Sequence, residues 1–92
     1  MGLRGKLDED LKTGLKAKNA LLVSVIRLLK SGFLNAEIEK KRELTEDELF
    51  EIIMKNIKQR KESVESFTKG GRQDLADKEQ SEAKILSSYL PE

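Results

Sequence analysis

Ten consecutive residues near the start of the chain, Ala20-Leu21-Leu22-Val23-Ser24-Val25-Ile26-Arg27-Leu28-Leu29, hold a single charge. A run this apolar must find cover, and it is far shorter than the roughly 18 residues that span a bilayer. Its β-branched residues suit a strand, but the polar positions decide otherwise. Ser24, Arg27, Lys30 or Ser31, and Asn35 recur every three or four residues, which is helical spacing without alternation. A helix apolar on most sides is the central helix of a bundle. The spacing predicts that it runs over 20–42 and ends in the basic cluster Lys40-Lys41-Arg42.

The rest of the chain reads as helix too. Leu3, Leu7, Leu11 and Leu15 form an i,i+4 stripe, predicting a first helix over 3–17. Asp8, Glu9 and Asp10 near its start and Lys16 and Lys18 near its end suit its macrodipole. Thr45 followed by Glu48 is a capping box, with Leu44 and Leu49 placed as a hydrophobic staple. A third helix over 46–68 follows, with Leu49, Ile52, Ile53, Ile57, Val64 and Phe67 on its apolar face, and Gly70-Gly71 stops it. A fourth covers 72–90, with Leu75, Ala76, Ala83, Leu86, Tyr89 and Leu90 on one side, before Pro91. The expected fold is an all-α, four-helix bundle forming a single domain over 1–92.

Two charges break the apolar faces. Arg60 lies on the third helix's stripe and Glu79 on the fourth's. Counted outward from the tight Gly-Gly turn they come level, so they are expected to pair. A charge this near a core is costly without an opposite partner.

The 92 residues contain no Cys and no His. That excludes disulfides, thiolate or imidazole metal sites, and nucleophiles activated by His. Gly70-Gly71 lacks the Lys-Ser/Thr of a phosphate loop. Asp8-Glu9-Asp10 and Glu46-Asp47-Glu48 read as helix charges, not as a calcium loop. No catalytic residue, metal or cofactor is expected. Zero Cys and no leader pattern suggest the cytoplasm.

The net charge of +1 hides an asymmetry: residues 1–42 carry ten basic and five acidic groups, residues 43–92 eight and twelve. A basic first half attracts polyanions. Lys40, Lys41, Arg42, Arg27 and Lys30 are the candidate nucleic-acid contacts. With no aromatic residues interleaved, those contacts would be to the phosphate backbone, salt-dependent and blind to sequence.

Longer words in the sequence go further. Ser24-Val25-Ile26-Arg27-Leu28-Leu29-Lys30, Leu44-Thr45-Glu46-Asp47-Glu48, Lys58-Gln59-Arg60-Lys61-Glu62-Ser63 before Phe67, Arg72-Gln73-Asp74-Leu75 before Lys78-Glu79, and Ile85-Leu86-Ser87-Ser88-Tyr89-Leu90-Pro91 occur in an order that resembles the GatB/YqeY family. Its members are small YqeY-like proteins, and the same module closes the GatB polypeptide of the aspartyl/glutamyl-tRNA amidotransferase. The resemblance covers the whole chain. It implies a larger helical subdomain, matched here, followed by a small C-terminal tail that would begin where this sequence stops. In the amidotransferase the tail contacts tRNA and the chemistry sits in a separate domain. The label of glutamine-dependent carbon–nitrogen ligation therefore carries over without an active site. What the resemblance implies is a non-catalytic accessory module, with tRNA or a protein partner of the tRNA-amidotransferase type and no membrane. The alternative is a helical protein–protein interaction module with no RNA role.

Overall fold

The computed structural model describes residues 2–91. They form four helices in chain order: α1 Leu3–Lys16, α2 Ala20–Lys40, α3 Glu46–Lys69 and α4 Gln73–Ser87, with no strand among the described residues. The chain divides into two units, Met1–Ile52 and Ile53–Glu92, and the boundary falls inside α3.

In the first unit α1 packs on α2. Leu3, Leu7, Val23, Val25, Ile26, Leu29, Phe33, Leu44 and Leu49 are buried. The α1 stripe is covered only at its N-terminal end, because Leu15 is 50% exposed. Gly14 is buried in its place. A Cβ there would meet Val23 Cγ2 at 3.2 Å and Leu22 Cδ2 at 3.3 Å, so the absent side chain allows the close approach. α1's first turn carries no acid. Asp8 and Asp10 lie further along, ion-paired with Lys30 and Lys6. The carboxylate at the α1 N-terminus is instead Glu46, which accepts the Leu3 N–H at 2.9 Å and satisfies one of the helix's four orphan donors.

α1 closes on Lys18 in the left-handed region, φ 55, with Asn19 N–H bonded to Gly14 O at 2.9 Å. Asn19 then caps α2 by accepting the Leu22 N–H at 3.2 Å. α2 stops two residues short of the expected 42. Lys41 turns left-handed, φ 59 and ψ 33, and the Arg42 N–H returns to Glu37 O at 3.3 Å. This Schellman-type closure splits the basic cluster across the helix end. The capping box is formed as the spacing requires: Glu48 N–H to Thr45 Oγ1 at 3.2 Å and Thr45 N–H to Glu48 Oε1 at 2.9 Å.

In the second unit Ile53, Ile57, Ala76, Ala83, Leu86 and Tyr89 are buried. Gly71 takes φ 75, a conformation that a side chain disfavours, and lets the Arg72 N–H close on Phe67 O at 2.8 Å. α4 ends at Ser87, three residues before the expected 90. Pro91 disfavours the helical region for Leu90 before it. Tyr89 and Leu90 continue instead as tighter i to i−3 bonds, at 3.1 and 3.2 Å.

Candidate functional site

The five candidate cations do not converge. Lys40, Lys41 and Arg42 straddle the C-terminus of α2, while Arg27 and Lys30, three residues apart and so neighbours on the helix surface, lie about three turns upstream. Lys30 is ion-paired with Asp8 and holds that carboxyl below its usual range. Arg27 lines a shallow groove along α2 with Ser24, Leu28 and Ser31.

Glu48 organises the cluster. Its carboxylate takes both arms of Arg42, at 2.7 and 2.9 Å, and Lys40 Nζ at 2.9 Å. The fork geometry of the Arg42 pair is the strong kind of ion pair. Arg42 first, then the Thr45 N–H and Lys40, pull the Glu48 carboxyl far below the ordinary carboxylate range. Lys41, left-handed at the helix end, is exposed. No carboxylate among the described residues pairs with Lys41 or Arg27. Next to the cluster, Glu37 accepts the Leu44 N–H at 2.9 Å and pairs with Arg4, which also lies 5.7 Å over the Phe33 ring.

In the second unit the structure brings Arg60 Nη1 to 3.3 Å from Glu79 Oε2, both side chains mostly covered. Sequence reasoning missed the third member of this group, Glu82, which is only 6% exposed. Arg60 Nε and Glu82 Oε1 are buried with no hydrogen-bond partner among the described residues. Burial pushes the Glu82 carboxyl up; nearby Arg60 opposes the rise and Glu79 adds to it. The signal for it was present: Glu82 is seven residues after Leu75 and four before Leu86, on the stripe that already held Glu79.

Also missed were the exposed apolar residues of α2: Leu28, Leu34 and Ile38 are 55, 57 and 65% exposed. A helix apolar on most sides gives no sequence signal of which side a short chain leaves uncovered. Among the described residues no group of three acidic side chains gathers as a cation site, and no helix is long and apolar enough to cross a membrane.

Comparison with known proteins adds a family. The model of the YqeY-like protein family matches residues 4–92. The protein named "Altered inheritance of mitochondria protein 41, mitochondrial" from Lachancea thermotolerans is 42% identical over 85 residues, covering 91% of this chain and 46% of the relative. Its namesake from Kluyveromyces lactis is 42% identical, covering 90% and 45%. An uncharacterized protein of Schizosaccharomyces pombe is 31% identical over 98% of this chain and 73% of its own length. The chain thus spans about half the length of the first two relatives. Their names correct the expected cytoplasmic location, since close relatives are named as mitochondrial proteins. The expectation rested on two absences, of Cys and of a leader pattern, and an absence does not place a protein.

Proposed function

The chain belongs to the YqeY-like protein family, whose domain is related to the C-terminal region of GatB, and from that membership we propose that it serves as a non-catalytic accessory module of the tRNA-amidotransferase type. Its contact with tRNA is through the phosphate backbone at the end of α2. The observation that carries this reading is the basic cluster at the α2 C-terminus, where Lys41 is exposed and not ion-paired while Glu48 holds Lys40 and Arg42. Lys30 is engaged by Asp8 and Arg27 lies in its own groove, so the cluster is the centre of the contact.

Glu48 then competes with phosphate for two of the three cations. Binding of unfractionated tRNA by fluorescence anisotropy, across a salt series, tests this. Lys41→Glu is expected to weaken binding and to lower the slope of log K against log salt by about 1. Glu48→Gln, which keeps a capping-box side chain, is expected to strengthen binding and steepen the slope. The reading is overturned by no binding at low salt, or by a Glu48→Gln variant that binds no better than the parent.

A further inference from the structure

We propose that the α3–α4 hairpin is a proton-sensitive latch: protonated Glu82 holds α4 against α3, and its ionisation lets α4 swing away about the Gly70-Gly71 turn. The inference rests on the second unit alone and owes nothing to the tRNA reading.

The first argument is a count of charges. The groups that face Glu82 are Arg60 from α3 and Glu79 and Lys78 from α4. Glu82 is only 6% exposed, and Arg60 Nη1 is already committed to Glu79 at 3.3 Å. One covered guanidinium does not neutralise two carboxylates, and a buried charge without its own partner is costly. Glu79 and Glu82, three residues apart, are neighbours on α4 and lie within hydrogen-bond reach of each other. Two carboxylates cannot share a hydrogen bond, whereas a carboxyl and a carboxylate can. Ionised Glu82 leaves Oε1 buried without a donor; protonated Glu82 can donate to Glu79. Arg60 and Lys78 favour the ionised form, but burial outweighs them.

The second argument is how little hydrocarbon seats α4. Its buried residues are Ala76, Glu82, Ala83 and Leu86, with Tyr89 just beyond its end. Each alanine brings a single methyl, so their burial contributes little. Elements with few buried apolar contacts are the ones that open first. The turn at the base of α4 suits a hinge. Gly70 and Gly71 are both exposed, and nothing lies within 4 Å of the place a Gly71 Cβ would take. Glycine backbone is the freest to change conformation.

In the open hairpin Glu82 ionises near its ordinary 4.5, and in the closed one it keeps its proton to higher pH. Its contribution to closure is therefore complete below about 4.5 and is lost as pH rises through the closed-state value. Across that window opening releases one proton, so each pH unit multiplies the opening constant by up to about 10.

Amide hydrogen exchange of the intact chain, from about pH 5 to about pH 8 and corrected for the intrinsic rate at each pH, reads this opening. Protection at Ala83 and Leu86 in α4 is expected to be lower than at Ile26 and Leu29 in α2, and to fall by up to about 10-fold per pH unit. Glu82→Gln keeps the shape and a donor for Glu79 and never ionises. It is expected to hold α4 closed and to flatten the dependence. Carboxyl-carbon NMR of the parent, which needs no variant to fold, is expected to show Glu82 titrating above 4.5. Three results each overturn the proposal. The first is Glu82 titrating at or below 4.5. The second is α4 protection that is constant with pH in the parent, or that changes equally in Glu82→Gln. The third is equal protection of α4 and α2 at every pH, which would mean that the hairpin opens only with the whole chain.

Discussion

Two glutamates respond to burial and pairing in opposite senses, and the difference is measurable. Glu82 is covered and its carboxyl is pushed above the ordinary value of 4.5 by burial. In the unfolded chain it ionises near that value; in the folded chain it holds its proton to higher pH. Its neutral form therefore favours folding below about 4.5, and that contribution is lost as pH rises through the folded value. Glu48, held down by Arg42, Thr45 and Lys40, works the other way. Its contribution is complete above about 4.5 and erodes as the pH falls. Glu82→Gln is expected to match the parent in urea midpoint at pH 4 and to exceed it at pH 7, because the amide keeps the shape and never ionises. A variant that is less stable than the parent at pH 7 would mean that ionised Glu82 is held by Arg60 and stabilises the fold. The pairing partner of Arg60 was legible in the sequence because Arg60 and Glu79 fall level across a two-glycine turn. Glu82 was harder to see because an acidic residue on a charged helix looks solvated until packing covers it.

Helix boundaries differ in how local their causes are. Thr45 and Glu48 act across three residues, within one turn, and so the α3 start is readable from the string alone. Thr45→Ala removes the side-chain acceptor and is expected to cost about 1 kcal/mol. That corresponds to a fall in melting temperature of about 4–8 °C for a chain of this size. Thr45→Ser, which restores the acceptor, is expected to recover most of it, and thermal melts of the three proteins check the order. Other boundaries are marked less plainly. Glu46 reaches back 43 residues to the first N–H of α1. α2 ends where it does because Lys41 goes left-handed and Arg42 folds back on Glu37 O. The Glu46 contact forms only once distant segments meet, whereas the α2 closure is local but made by a lysine in place of the usual glycine, which is why the predicted end ran long at 42 while the four elements themselves were visible from periodicity.

At the scale of the whole chain, α2 poses the question of how much of an apolar helix a 92-residue sequence can cover. Three large hydrophobic residues of α2, Leu28, Leu34 and Ile38, are more than half exposed, as is Met54 of α3, and Leu15 of α1 is 50% exposed. Ile26 and Leu28 sit two positions apart on the same helix, yet Ile26 is fully buried and Leu28 is 55% exposed. Substituting each by Ala removes a similar amount of hydrocarbon, so the comparison isolates burial from chemistry. Ile26→Ala is expected to cost about 2–5 kcal/mol, the range for a large-to-small change in a packed core. Leu28→Ala is expected to stay within about 0.5 kcal/mol of the parent, as for surface positions, with the better helix propensity of Ala offsetting part of any loss. Urea unfolding of the two variants at several protein concentrations measures both. If Leu28→Ala costs as much as Ile26→Ala, the outward arc of α2 is covered in the free protein. If that cost appears only at high concentration, the cover is another copy of the chain. A small, concentration-independent effect at Leu28 beside a large one at Ile26 leaves the arc open in the free protein.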